Sequence, residues 1–283
     1  MRAVEKCVEK VVVQKAGKLA KVMQSALPTL KYNDALKLLR QKDVKVNGVR
    51  VKENVDVVAG DVLEIYAPQS MLTKPLPTLE IVFENKDICV VNKPKGVEVE
   101  GVYSLTDAVQ KVHAQAVAVH RLDRNTKGLV IFAKNETAEK ELIQAFVNHT
   151  IEKHYVALCE NPFSKKHEVC KAYWFKDEKA GRVFIDSKPK KGWVPITTEY
   201  TVIQKFGTQT MVEIILHTGK THQIRAHMAY LGHPLVGDGK YGKGKRNETQ
   251  ALLAYKLVFT FAKTSPLAYM NGTTVELEDI SFA

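Results

Sequence analysis

One short stretch of the sequence places a carboxylate among cations. Asp123 lies between Arg121 and Arg124 in the segment HRLDRNTKG at 120–128, and an apolar run follows it. Nearby positive charge favours the ionised form of a carboxylate, so Asp123 is suited to act as a nucleophile or an electrostatic anchor. Arg121, Arg124 and Lys127 are suited to contact a phosphate backbone. The same residue types are also typical of an ordinary solvated turn before a strand, and spacing alone leaves both interpretations open.

Two further segments are similar to motifs of a known enzyme family. The sequence reads TGKTHQIRAHM at 218–228 and LGHPLVGDGKYG at 231–242. Together with 120–128 they resemble the HRLDxxTSG, TG(R/K)THQIRxH and LGHPxxGDxxYG motifs of the RluA-type pseudouridine synthases, and NKPKG at 92–96 resembles that family too. The resemblance extends from about Leu79 to the C-terminus. It implies an enzyme that isomerises uridine in structured RNA to pseudouridine.

The implied reaction determines which groups the site needs. It breaks the bond between the ribose and nitrogen 1 of uracil, turns the free base and rejoins it through carbon 5, so it requires neither a metal nor a redox cofactor. It does require a nucleophilic carboxylate and a surface for the flipped base. The resemblance assigns the carboxylate to Asp123. It leaves open whether Asp123 attacks carbon 1′ of the ribose, attacks carbon 6 of the base, or assists glycal formation.

Two other residues complete the implied catalytic set. Arg225, in the QIR triplet, carries a guanidinium that stays charged and can hold a carboxylate bidentately. Tyr155, in the EKHYVAL segment at 152–158, can stack on uracil, and its hydroxyl can relay the proton that leaves carbon 5. Without the motifs around them, a surface cation and a core tyrosine would be the ordinary interpretations.

The resemblance also implies substrate-binding residues. Arg121 would fill the gap that the flipped base leaves, and Leu252 would close the pocket as an apolar wall. The other predicted substrate-binding residues are Arg124, Lys127, Lys220 and His222. The sequence departs from the family pattern at three positions: Leu253 replaces a customary His, Lys127 replaces Ser, and Lys220 replaces the commoner Arg. We expect Lys127 to alter backbone contacts and thereby the choice of RNA.

Two other functions compete with the synthase. One is a non-catalytic RNA-binding or ribosome-assembly factor with the same fold, and the other is a metal-dependent nuclease that uses the histidines between His217 and His233. The joint presence of Asp123, Tyr155 and Arg225 favours the synthase, and the histidine spacing matches no HExxH-type metal site. Large-subunit ribosomal RNA is the implied target, with transfer RNA as the alternative.

Composition agrees with an RNA partner. The chain has 42 Lys and Arg against 31 Asp and Glu, a formal net charge of +11, which attracts polyanions. No apolar window is long enough for a membrane helix, the N-terminus lacks the apolar stretch of a signal peptide, and the four cysteines form no CxxC pair. We therefore expect a cytoplasmic monomer without metal or cofactor, whose thiols are reduced.

A proline-containing linker at 68–78 is predicted to separate a small domain, 1–67, from a catalytic domain, 79–283. In the small domain, helical spacing at 32–40 precedes alternation around Asn-Gly at 44–51, which predicts a hairpin, and then a closing strand. This order resembles the α-L RNA-binding domain, although 18–23 lacks the Arg and acidic residue of its usual opening helix. The predicted RNA contacts are Lys42, Lys45, Arg50 and Lys52. A domain that only packs or dimerises is the alternative.

The catalytic domain mixes strands and helices without a βαβ repeat. The predicted strands are 79–83, 87–91, 129–133, 198–205, 210–217 and 255–261, and the predicted helices are 105–115, 137–148 and 221–231. This pattern predicts an α+β pseudouridine synthase fold with a mainly antiparallel, mixed central sheet, and a small α/β RNA-binding domain before it.

Overall fold

The computed structural model describes residues 6–73, 75–245 and 248–282 of the 283-residue chain. The chain divides into two compact units, Met1–Leu76 and Pro77–Ala283. The predicted linker differs from the structure in its first half. A strand continues to Pro68, and Gln69–Leu72 form one helical turn whose Leu72 is buried against the first unit.

The first unit combines two helices with a four-stranded antiparallel sheet of order β1-β6-β3-β4 and a separate β2-β5 pair. Its elements are β1 (Lys6–Val12), β2 (Gly17–Lys18), α1 (Leu19–Ala26), α2 (Tyr32–Arg40), β3 (Val44–Val46), β4 (Val49–Val51), β5 (Asp56–Val57), β6 (Val62–Pro68) and α3 (Gln69–Leu72). The predicted helix at 32–40 and the hairpin are confirmed. Asn47 and Gly48 both have positive φ, 51° and 82°, as a type I′ turn requires.

Helical spacing explains the core of the first unit. Leu38 and Leu39 of α2 and Met23 of α1 turn inward and pack against alternate residues of β6, Leu63 and Ile65. All five side chains are buried.

The second unit is built on one large sheet. Its elements are β7 (Ile81–Glu84), β8 (Ile88–Lys93), α4 (Leu105–Gln110), β9 (Val117–Ala118), β10 (Lys127–Ala133), α5 (Glu136–Val147), β11 (Ile151–Glu160), β12 (His167–Asp177), β13 (Arg182–Asp186), β14 (Val194–Phe206), β15 (Gln209–Leu216), α6 (Gln223–Tyr230), β16 (Leu252–Phe259) and β17 (Thr274–Glu276), with a 3-10 turn at Ala268–Met270. The strand order is β13-β12-β14-β15-β11-β16-β10-β8-β7, with β17 on β16 and β9 on β10. Among the described residues, the β10–β16 pair is parallel and the other pairs are antiparallel. The α+β class with a mainly antiparallel, mixed sheet is confirmed.

From Gly128 onward, the central strand β10 has no polar side chain because both of its faces are buried. Val130 and Phe132 belong to one hydrophobic core, and Leu129 and Ile131 belong to a second core on the opposite face. The parallel junction is also tight. A Cβ at Gly128, where φ is 127°, would lie 2.1 Å from the carbonyl oxygen of Ala254 on β16. Glycine is therefore required at the second residue of β10.

Three predicted helices have different bounds in the structure. The helix predicted at 105–115 ends at Gln110, and hydrogen-bonded turns follow it. The helix predicted at 137–148 starts one residue earlier, because Asn135 Oδ1, and not Thr137, caps it by accepting from the Ala138 amide at 2.9 Å. The helix predicted at 221–231 covers Gln223–Tyr230.

Candidate active site

The second unit contains a cleft of about 780 Å³. Residues of three segments, 119–126, 146–155 and 216–225, line it together with Val194, Pro195 and Leu252. The predicted residues Asp123, Tyr155, Arg225, Arg121, Lys220, His222 and Leu252 all lie in this lining. They come from the segments 120–128 and 218–228 and, for Tyr155 and Leu252, from positions outside these motifs.

A turn before β10 carries Asp123. The Thr126 amide donates to the Asp123 carbonyl oxygen at 2.9 Å and closes the turn. Thr126 is buried, and its hydroxyl accepts from Gln250 Nε2 at 3.2 Å, just before β16. The turn is thus tied to both strands of the parallel junction.

A buried lysine holds this turn in place through hydrogen bonds to backbone carbonyl oxygens. Lys93, at the end of β8, is fully buried, and its Nζ donates to the carbonyl oxygens of Pro94, Val97 and Arg124 at 3.1, 2.9 and 3.0 Å. Burial lowers the pKa of Lys93 to about 8. The three carbonyl acceptors compensate the buried ammonium and join the NKPKG segment to the Asp123 turn.

Arg225 connects two carboxylates. Its Nη1 donates to Asp123 Oδ2 at 2.9 Å, while Nε and Nη2 donate to Asp238 Oδ2 and Oδ1 at 2.7 and 3.0 Å. Arg225 thus lies beside Asp123, as the sequence predicts, but the bidentate pair that a guanidinium can form is made with Asp238. The reason is that Asp238 lies alongside the guanidinium edge, so only the remaining Nη1 points toward Asp123.

Asp238 is completely buried, so its partners decide whether its charge is tolerated. Its Oδ1 also accepts from the amides of Lys240 and Tyr241 at 2.8 and 3.0 Å. Burial alone would raise the pKa of Asp238, but hydrogen bonds from Arg225 and from the two amides lower it below its ordinary value. Asp238 is thus an ionised group that holds Arg225 in place.

His222 lies beside the same carboxylate. It precedes α6 with a left-handed backbone, φ 52°, and its Nε2 is 3.8 Å from Asp123 Oδ2. Its Nδ1 is 2.9 Å from the hydroxyl of Tyr241, and that hydroxyl accepts from the Val183 amide at 3.0 Å. Burial lowers the pKa of His222, although Asp123 acts in the opposite direction. The ring therefore favours its neutral form.

Tyr155 and Leu252 supply buried surface in the cleft. Tyr155 lies on β11, where the register against β16 shifts between His154 and Tyr155, and Leu252 begins β16. Both side chains are buried. Burial and the negative charge of Asp123 raise the pKa of Tyr155, so its phenol stays protonated at neutral pH.

The remaining predicted substrate-binding residues divide into two groups. Arg121 and Lys220 are exposed and line the cleft. Arg124 and Lys127 lie outside the lining. Arg124 Nε donates to the Gly96 carbonyl oxygen at 3.1 Å, and Lys127 begins β10 opposite Leu253.

Two of the four basic residues predicted for the first unit lie beside a tyrosine. Lys45 and Arg50 are paired across β3 and β4, and their charged groups lie 5.3 and 5.1 Å from the ring centroid of Tyr66. Arg50 also donates to the Lys42 carbonyl oxygen. Lys45 contacts Glu64 at 3.3 Å, and Lys52 lies 4.0 Å from Glu53.

The histidines between 217 and 233 point to separate partners. His217 contacts Glu199 at 2.7 Å, buried His227 contacts the Thr198 hydroxyl at 3.0 Å, and His233 stacks on Phe163. Within 6–73, 75–245 and 248–282, no group of three or more His, Cys, Asp or Glu side chains is arranged to hold a metal ion. No helix in the described part of the chain is long and apolar enough to cross a membrane.

Sequence reasoning missed four residues near the cleft. Asp238 and Tyr241 belong to the LGHPLVGDGKYG segment. The available signal for Asp238 was that the aspartate of this segment could pair with the arginine of the QIR triplet. Lys153 precedes Tyr155 by two residues, so the two share one face of a strand. His149, with φ 56°, gave no signal in the sequence.

Known proteins with similar sequences and folds support one family. Residues 87–230 match the family model described as RNA pseudouridylate synthase. A protein of Bacillus subtilis, described as an uncharacterized RNA pseudouridine synthase, is 31% identical over 271 residues, which cover 89% of this chain and 88% of that protein. Ribosomal large subunit pseudouridine synthase C of Vibrio cholerae is 30% identical over 260 residues, which cover 85% and 81%.

A solved structure has a similar fold. Human RNA pseudouridylate synthase domain containing 1 matches with a TM-score of 0.58 and 24% identity, over 73% of this chain and 94% of that chain.

Proposed function

The chain belongs to the RNA pseudouridylate synthase family and is an isomerase that acts on RNA, and we propose that it modifies large-subunit ribosomal RNA with Asp123 as the nucleophile. The target is supported by relatives named ribosomal large subunit pseudouridine synthase C, which are 30 to 32% identical to this chain in Vibrio species. The net charge of +11 agrees with a polyanionic partner.

One observation carries the assignment of the nucleophile: the 2.9 Å contact between Arg225 Nη1 and Asp123 Oδ2. Asp238 holds the other edge of the guanidinium, so Arg225 presents a fixed N–H group to Asp123. A charge-assisted hydrogen bond of this kind is short and strong and fixes the orientation of a carboxylate. Asp123 remains partly accessible from the cleft, with 24% of its side chain exposed, as a group that reacts with substrate must be.

The size and lining of the cleft suit a flipped base. A volume of about 780 Å³ falls within the usual range of small-molecule sites, and Leu252 supplies an apolar wall. We assign the uracil to the ring of Tyr155. Because its phenol stays protonated, Tyr155 can carry the carbon 5 proton only by passing its own proton to a second acceptor, and Asp123 can accept that proton once its bond to the substrate has broken.

The accessory features follow from the same proposal. Arg121, exposed at the edge of the cleft, is assigned to the gap that the flipped uridine leaves. Residues 1–67 are assigned to RNA binding through Lys42, Lys45, Arg50 and Lys52, and residues 79–283 to catalysis. The enzyme is expected to act as a cytoplasmic monomer without cofactor.

Mapping pseudouridines in total RNA from cells with and without this protein tests the target. The expected result is the loss of one or more pseudouridines from large-subunit ribosomal RNA, restored by the wild-type gene and not by Asp123→Asn. Loss confined to transfer RNA would replace the proposed target and keep the reaction. An unchanged map would favour a binding factor that retains the fold.

A further inference from the structure

The cleft has more positive charge than the proposed chemistry uses. Four lysine and arginine side chains line it, namely Arg121, Lys153, Lys220 and Arg225, whereas Asp123 is its single lining carboxylate among the described residues. Arg225 already binds Asp123 and Asp238. Lys153 and Lys220 have no such role. They lie in the part of the cleft lining that is formed by 146–155 and by the start of 218–225.

Lys153 is buried, with 7% of its surface exposed, although it carries an ammonium group. It forms no salt bridge with a described carboxylate. Its Nζ makes one long contact, 3.5 Å, with the Ile151 carbonyl oxygen, and lies 5.5 Å from the ring centroid of Phe146. A cation–π contact of this kind compensates only part of the cost of burying a charge. Burial accordingly lowers the pKa of Lys153.

A comparison with Lys93 shows which hydrogen-bond acceptors Lys153 lacks. Lys93 is also buried, but three carbonyl oxygens within 3.1 Å accept from its Nζ. Lys153 has the donors of an ammonium and a place in the cleft lining, and its polar contacts leave most of them without an acceptor. A lysine with a purely structural role has protein acceptors for its ammonium hydrogens, as Lys93 has. A lysine that binds an anion needs N–H donors that no protein acceptor uses.

Other basic side chains line the cleft together with Lys153. His149, exposed at the rim, has a pKa that is lowered by burial and by the positive charges of Lys153, Lys220 and His217. His149, Lys153 and Lys220 all line the same cleft. The His217 ring contacts the Glu199 carboxylate at 2.7 Å, but Lys153 and Lys220 form no ion pair with a described carboxylate. Such a cluster is stabilised when an anion binds between its members.

We propose that Lys153, together with His149 and Lys220, forms a subsite for a backbone phosphate of the RNA, adjacent to the uridine held by Tyr155. The inference rests on the proposed function in that the anion is a phosphate of the RNA substrate. Lys153 and Tyr155 are two residues apart on β11 and lie on the same face, so they are separated by roughly 7 Å along the strand. This spacing is of the order of one nucleotide.

Inorganic phosphate provides a test that needs neither RNA nor turnover. The melting temperature of the full-length protein is measured in phosphate and in chloride of equal ionic strength, for wild type, Lys153→Met and Lys140→Met. Lys140 is a matched control because its side chain is 79% exposed on α5 and lies outside the cleft. We expect phosphate to raise the melting temperature of wild type and Lys140→Met, and the rise to be absent in Lys153→Met.

RNA binding provides the second test. The affinity of the same variants for one uridine-containing RNA hairpin is measured over a series of salt concentrations. Lys153→Met should bind roughly tenfold more weakly, since the variant cannot donate a hydrogen bond to the charged phosphate. Its slope of log affinity against log salt should be smaller by about 0.7 to 0.9, as expected for one phosphate. Lys140→Met should match wild type in both values.

Identical phosphate responses and salt slopes in Lys153→Met and Lys140→Met would overturn the subsite and make Lys153 a structural residue. If Lys153→Met does not fold, Lys220→Gln, a change at an exposed position, is measured instead. We expect this variant to show a smaller rise of the melting temperature in phosphate and a smaller salt slope of RNA binding. Unchanged values would contradict the proposal. Failure of the proposed target or of Asp123 catalysis leaves these measurements unaffected, so the two proposals fail separately.

Discussion

The two walls of the cleft differ in whether their charged side chains have oppositely charged partners. We call them the paired wall and the cationic wall. On one wall, the lining residues Asp123 and Arg225 form a closed set with the buried Asp238 beyond the lining, and each charge has an oppositely charged partner within 3.0 Å. On the other wall, Lys153 and Lys220 form no ion pair with a described carboxylate. The paired wall is complete before RNA arrives, whereas the cationic wall is completed by the RNA. Catalysis and substrate capture should therefore respond to different substitutions.

The largest expected effect is at the paired wall. Asp123→Asn keeps the size and polarity of the side chain but removes its charge, so release of tritium from 5-tritiated uridine in RNA should be abolished. RNA affinity should stay within about twofold of wild type, because Asp123 adds no attraction for phosphate. Asp279→Asn, an exposed change, serves as the control. Release near the wild-type rate would remove Asp123 from catalysis.

Tyr155→Phe separates the ring from its hydroxyl. The ring can still stack on the base, so RNA affinity should persist, while kcat should fall by about 100-fold if the hydroxyl carries a proton. Tyr230→Phe, at an exposed position that ends α6, provides the matched control. An unchanged kcat would limit Tyr155 to stacking.

Asp238→Asn tests whether the paired wall depends on its buried member. Removing one partner of a buried ion pair should lower the free energy of unfolding by about 3 kcal/mol, measured by urea denaturation. Turnover should fall by about tenfold, because Arg225 is no longer fixed by its buried carboxylate. A stable variant with full turnover would mean that Asp123 alone positions Arg225.

The same variant has a pH signature. The folded-state pKa of Asp238 lies below its ordinary value, so its contribution to stability is present above the unfolded-state pKa and disappears as pH falls through the folded-state pKa. Asp238→Asn should therefore lose less stability between neutral and acid pH than wild type. An identical acid profile would show that Asp238 does not contribute charge to the folded state.

The smallest expected effect on chemistry comes from removing the first unit, residues 1–76. The single-turnover rate at saturating enzyme should be unchanged, because every residue that lines the cleft belongs to Pro77–Ala283. The salt slope of RNA binding should fall by roughly 0.7 to 0.9 for each phosphate that the first unit binds in the full-length protein. An unchanged slope would confine phosphate binding to the second unit, and a collapsed rate would give the first unit a part in catalysis.

The sequence was sufficient for the fold class and for the main contents of the cleft. Periodicity located α2 and the hairpin around Asn47, and the motifs brought together Asp123, Tyr155 and Arg225 across up to 102 positions of sequence. These features depend on local spacing or on long motifs. Both kinds of information are present in the sequence itself.

The hydrogen-bond partners of individual side chains were harder to predict from the sequence. Arg225 has two acidic neighbours in space, and the sequence does not say which edge of the guanidinium faces which carboxylate. Lys153 resembles any lysine of a strand until β11 is seen with its inner face toward the cleft. Arg124 lies next to Asp123 in sequence but turns to the Gly96 carbonyl. Side-chain direction at these positions is set by tertiary packing.

The parallel pairing of β10 with β16 has a consequence for the order of events during synthesis. The hydrogen bonds described for the first unit close within Met1–Leu76, so its sheet can form while the rest of the chain is still being translated. Asp123, in contrast, has no guanidinium until Arg225 has been made, and β10 has no parallel neighbour until Leu253 and Ala254 follow. A nascent chain that has left the ribosome as far as α5 therefore carries its carboxylate but not its catalytic site. Isomerisation starts only when nearly all of the polypeptide is available.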